Sequence, residues 1–219
     1  MAQIPSQEWA TIQDGIDTCS ECLRNELFKP YLELPIRPGT PIETGRVLFL
    51  SEAPPLTGGF WGLAHPDRLR ANLLGFLGIE TSPFRHALNS FLKNNFFLLQ
   101  SVKWPLIKTF NHLSARQQRG LIEHSAKEHL GSEIETIRPK KILALGKAEW
   151  LSCRFLSNAW KNADIGKFEK DLGVFHPMTV MGEKVKWMAT YLIIDQNLRL
   201  PRRAEAISLH LQSFLEEEV

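Results

Sequence analysis

The chain has 219 residues, 43% of them hydrophobic and 23% charged, with a formal net charge of +2. That balance excludes a disordered chain or a coiled coil, and so small a charge permits a nucleic-acid partner without demanding one. Three cysteines, an odd number, and no secretory leader at the start lead to the expectation of a reducing, cytoplasmic setting; no apolar run is long enough to span a membrane.

A chain of this length suits one α/β domain over residues 1–219, able to bury roughly 70% of its unfolded surface. Residues from Ser6 to about Leu27 read as a helix, with Ile12, Ile16 and Cys19 near one face and Cys19-Ser20-Glu21-Cys22 within it or at its end. Leu34 to Pro41 is a proline-rich, extended connection. Val47-Leu48-Phe49-Leu50 is a short, continuously apolar run, the pattern of a strand buried on both faces of a parallel sheet. It stops at Ser51-Glu52, and Pro54 and Pro55 forbid continuation as helix or ladder. Ligands of doubly wound sheets sit beyond strand carboxyl ends, which puts Glu52 where a functional carboxylate would stand. The loop Gly58-Gly59-Phe60-Trp61-Gly62 follows, with two large rings.

Asp67 can cap a helix whose apolar stripe is Leu69, Leu73, Leu74 and Leu77. A short helix is expected around Arg85–Leu92, and a second buried strand over Phe96–Val102, carrying Gln100 near its far end. Ser114 reads as the N-cap of a long helix to Ile137, stopped by Pro139. Lys141–Leu145 is a third strand ending at Gly146, and Ala148–Leu156 a short helix. Gly173–Val180 and Lys184–Leu192 read as two strands joined at Met181-Gly182-Glu183. Pro201 opens a last helix to Leu215, where Glu216-Glu217-Glu218 opposes the helix dipole and should fray the end. Alternating strands and helices predict a three-layer α/β/α fold with a mainly parallel sheet, Val47–Leu50, Phe97–Gln100 and Ile142–Leu145 at its centre.

The motifs in this order resemble the uracil-DNA glycosylase superfamily, and within it the type whose relatives carry an iron–sulfur cluster. Ser51-Glu52-Ala53-Pro54-Pro55 is similar to that family's Gly-Glu-Ala-Pro-Gly, and Phe60-Trp61-Gly62 to its Phe-Val-Gly. Phe97–Lys103 is similar to its strand ending Thr-Asn-Val-Val-Lys, and Glu133–Gly146 is the longest near-verbatim agreement. The resemblance implies excision of uracil or another deaminated or damaged base by flipping and hydrolysis, with DNA, single-stranded or base-damaged, as partner of a monomer. Glu52 would be the catalytic carboxylate, stabilising the sugar cation and orienting water. Phe60 would stack on the base, Gln100 would read its edge through donor and acceptor, and Ser51 and Ala53 would complete the substrate-binding turn.

Two departures bear on that reading. The family's His-Pro-Ser motif, expected after the strand Trp187-Met188-Ala189-Thr190-Tyr191, is replaced by Leu192-Ile193-Ile194, and Asp195–Arg199 would fill the family's wedging loop. The leaving base thus lacks its donor, and His176, one hairpin earlier, is the substitute to examine. Cys19 and Cys22 match the first two cluster ligands, but the positions of the other two hold Trp104 and Ala126. Because clusters need four thiolates with rare exceptions, the expectation is no metal and no cofactor, the cysteines being a packing remnant. The alternative is a weak or inactive relative that binds nucleobase or nucleic acid without turnover. An unrelated hydrolase or nucleotide enzyme is disfavoured, for there is no G-x-S-x-G elbow and no phosphate-cradling glycine pattern.

Overall fold

The computed structural model describes residues 6–28, 46–54, 60–61, 67–157, 167–180 and 182–218. The connection at Leu34–Pro41 and the glycines flanking Phe60-Trp61 lie outside these residues.

The first helix is two: α1 (Ser6–Asp17) and α2 (Ser20–Arg24). The single helix expected there is interrupted because Cys19 is extended, at φ −60° and ψ 108°. Then follow β1 (Val47–Ser51), α3 (Arg68–Phe76), α4 (Phe84–Lys93) and β2 (Phe96–Gln100). Asp67 caps α3 as expected, accepting from the Arg70 amide at 2.6 Å. Ser114 caps α5 (Ala115–Ser125) in a reciprocal capping box with Gln117. The helix then makes a π turn over Ala126–Leu130 and continues as α6 (Gly131–Ile137). The remaining elements are β3 (Lys141–Leu145), α7 (Lys147–Leu156), α8 (Phe168–Asp171), β4 (His176–Val180), β5 (Glu183–Thr190), α9 (Asp195–Leu198) and α10 (Pro201–Glu216).

The five strands form one sheet in the order β2-β1-β3-β5-β4, parallel except for the β4–β5 hairpin. Phe49 of β1 meets Phe91 of α4 and Phe214 of α10 on one face of the sheet. On the other, Phe97 of β2 packs against Trp9 of α1. The fold is therefore α/β/α, and no helix among the described residues is long and apolar enough to cross a membrane.

Strands β1 and β3 are central, as expected, but β2 is an edge strand. Its apolar run is explained by cover rather than by a further strand. Trp61 lies 5.0 Å from the Phe97 ring and its indole donates to the Leu98 carbonyl at 3.1 Å, so one outward backbone group is satisfied and Phe97, Leu98 and Leu99 are wholly buried. The end of α10 is likewise held where fraying was expected. Buried Lys141 reaches it and donates to the carbonyls of Phe214 (2.6 Å), Leu215 (3.1 Å) and Glu217 (2.9 Å), a cation placed on the negative end of the helix dipole.

Candidate functional site

The carboxyl ends of β1, β2 and β3 lie side by side, with Ser51 opposite Gln100 and Leu50 opposite Ala144. Pairing runs past the strands, since Ser101 and Val102 donate to the carbonyls of Ser51 and Glu52 at 2.7 and 2.8 Å. Glu52 and Gln100 are thus fixed on neighbouring strand ends, the position where parallel sheets place ligands. Ser51 and Gln100 are buried, Ala53 and Glu52 half-buried. The Gln100 carboxamide has no hydrogen-bond partner among the described residues, which leaves both its donor and its acceptor for a ligand.

Burial pushes the Glu52 carboxyl above its ordinary range, opposed by a hydrogen bond from the Phe110 amide at 3.4 Å. A second carboxyl, Glu149 in the first turn of α7, is fully buried. Desolvation, then the neighbouring Glu52 charge, raises it well above the usual glutamate range. One of its oxygens, Oε1, is buried without a partner among the described residues. Gly146 makes room for it: φ is +129° there, and a β-carbon would stand 2.9 Å from Glu149 Oε2. The site is therefore a pair of neighbouring carboxyls, both raised by burial, Glu149 further because the Glu52 charge adds to its desolvation.

Glu149 is not among the residues expected at the site, since the sequence pattern over Ala148–Leu156 gives only a short helix. The available signal was a glutamate set among Ala148, Trp150 and Leu151, just past a strand-ending glycine.

The other expected site residues are placed differently. Phe60 is only 1% exposed, its ring 5.0 Å from Phe91 and 5.2 Å from Trp61, and its carbonyl accepts from Arg70 at 2.6 Å. Among the described residues its ring is thus packed into the core between Phe91 and Trp61. His176 is on β4, three strands from β1, or about 14 Å at about 4.8 Å per strand. Its register is that of Leu48, well short of Glu52. It stacks on Trp187 at 4.6 Å beside Asp171 at 3.7 Å, and burial lowers its pKa. It is a packed histidine on the edge strand of the sheet. Residues Asp195–Leu198, expected as a wedging loop, form the short helix α9, anchored by Asn197 on the Leu192 carbonyl at 2.8 Å.

Behind the end of β2, Cys19 and Cys22 are not a remnant without partners. His124 and His129 complete a group of four whose donor atoms all lie within 4.8 Å of one another. The expectation of no metal rested on Trp104 and Ala126 at the thiolate positions, whereas the partners are imidazoles from other positions. Lys103, fully buried, pairs with Glu133 and donates to the Gln100 carbonyl, tying this region to the strand end above it.

No family model matches the chain, and no curated protein matches it either.

Proposed function

We infer that the chain is a DNA glycosylase-like hydrolase that excises uracil or another deaminated or damaged base. The observation that carries this reading is Glu52, a desolvated carboxyl at the end of β1 beside the amide of Gln100, which has no hydrogen-bond partner among the described residues, within motifs ordered as in the uracil-DNA glycosylase superfamily. In the reaction the C1′–N bond breaks, its electron pair leaves with the base, and water adds to C1′. Ionised Glu52 would face the sugar cation and accept the proton of that water, its raised pKa making it the stronger base. Gln100 would read the base edge. Exposed Arg199, Arg202 and Arg203, beyond the end of β5, are suited to backbone phosphates.

A second reading, binding without turnover, is favoured by two placements. The ring of Phe60 is enclosed, and the residue after Tyr191 is Leu192, with His176 too far to donate to the leaving base. Loss of one such donor costs about 3–4 kcal/mol, or roughly a hundredfold to a thousandfold in rate. Single- and double-stranded oligonucleotides bearing uracil, hypoxanthine or xanthine test both readings. Free base and an alkali-labile abasic site are expected from at least one of them. Binding without release selects the second reading, and neither binding nor release contradicts both.

A further inference from the structure

We propose that Cys19, Cys22, His124 and His129 hold a single zinc ion in tetrahedral coordination, as a structural site that pins the α1–α2 connection to the π turn after α5. This goes beyond the glycosylase reading and does not depend on it.

The spacing of the donors decides the nuclearity. Zn–S of about 2.3 Å and Zn–N of about 2.0–2.1 Å at tetrahedral angles put sulfur about 3.5 Å from nitrogen. Here Cys19 Sγ is 3.5 Å from His124 Nε2, and Cys22 Sγ is 3.2 Å from His124 Nε2 and 3.5 Å from His129 Nε2. The four groups are thus already disposed around one point. A four-iron cluster does not fit, since it takes four thiolates spread around a larger body. A two-iron centre with two cysteines and two histidines does not fit either. Its cysteines and histidines bind different irons, whereas Cys22 touches both imidazoles. Mixed thiolate–imidazole tetrahedra select zinc among the common divalent ions.

The backbone is shaped for this set. In an α-helix, residues five apart point about 140° away from each other, at 3.6 residues per turn. His124 and His129 are five apart, yet their rings lie 5.4 Å from one another, edge to face. The π turn over Ala126–Leu130 supplies the extra residue that brings them to one side. Such turns are rare and concentrate at functional positions. The extended Cys19 ends α1 so that both sulfurs of the C-x-x-C can face the histidines.

The groups around the donors fit the same reading. Glu21 lies 3.2 Å from His124 Nδ1, leaving Nε2 toward the cysteines, the arrangement that orients a metal-bound imidazole. Trp104, wholly buried, stands where the family resemblance expects a third cysteine, so that position offers no thiolate. A cleft of about 420 Å³, lined by Thr11, Gly15, Glu128 and Ser132 beside the donors, gives an ion a way in.

The test is metal analysis of the full chain purified without chelator from zinc-supplemented culture, with acid-labile sulfide measured on the same sample. One zinc per chain and no sulfide are expected. A Cys19→Ser/Cys22→Ser chain should lose the ion. His129→Cys should keep it, which separates a ligand from a merely structural histidine. Should the serine variant fail to fold, the native chain stripped by chelator and titrated with cobalt(II) answers instead, through intense tetrahedral d–d bands and thiolate-to-cobalt charge transfer. Iron with stoichiometric sulfide, no bound metal together with a featureless cobalt titration, or zinc retained by the double serine variant would each overturn the proposal.

Discussion

The buried ion pair between Lys103 and Glu133 offers the sharpest test of how the site is supported. Their side chains are 5% and 1% exposed, so neither charge is shared with water. Glu133 also accepts from the Gln13 amide of α1 at 2.9 Å, and Lys103 donates to the Gln100 carbonyl. Burial lowers the Lys103 pKa, and the neighbouring Glu133 opposes that shift. Lys103→Met would leave the Glu133 charge buried with only an amide to face it. Breaking one partner of such a pair costs about 3–5 kcal/mol. At about 2–4 °C per kcal/mol for a chain of this size, the melting temperature should fall by about 6–20 °C. Glu133→Gln alone should also destabilise, leaving the ammonium unpaired. The double variant removes both charges and keeps an acceptor for Gln13. It should be less destabilised than the sum of the two single changes by about 2 kcal/mol, within the 0.5–3 kcal/mol typical of contacting residues. Urea unfolding followed by far-UV circular dichroism measures all four chains. Additive losses, or a loss below about 1 kcal/mol in Lys103→Met, would show that the pair does not hold the end of β2.

Glu149→Gln should remove a pH dependence. A carboxyl whose folded pKa is raised binds its proton more tightly in the native state, so native stability falls as pH climbs from 4.5, the ordinary glutamate value, to the raised one. The native chain's stability relative to the variant should drop across that window and then level off; a flat difference from pH 4 to 8 would refute the shift. Gly146→Ala should destabilise by about 1–3 kcal/mol or more, since φ +129° with ψ −172° is a region open essentially to glycine, and the new methyl meets Glu149 Oε2. A change under 0.5 kcal/mol by thermal melting would show that the turn relaxes freely.

Much of the fold was legible because its signals are local. The runs Val47–Leu50 and Ile142–Leu145 are apolar throughout, as doubly covered strands must be, and the caps at Asp67 and Ser114 formed where the side chains allowed. The edge position of β2 was not legible. A run covered by Trp61 at its side looks the same in sequence as one covered by a strand. The break at Cys19 depends on a backbone turn that its flanking residues do not announce. In the candidate site, Glu52 and Gln100 could be read because each ends a buried run. Phe60 could not be placed, because whether a loop aromatic faces a ligand or the core depends on packing partners such as Phe91 that lie far along the chain. The histidine pair was hidden by periodicity, since a spacing of five falls on different helix faces unless a π turn intervenes.

The central claim is that the Glu52 carboxylate carries catalysis, and its most direct measurement is the single-turnover rate of base release by the native chain and by Glu52→Gln. The substrate is an oligonucleotide bearing whichever of uracil, hypoxanthine or xanthine the native chain releases. The amide keeps the shape and loses the charge that stabilises the sugar cation, so the rate should fall by roughly tenfold or more while binding persists. An undiminished rate in Glu52→Gln would contradict the assignment.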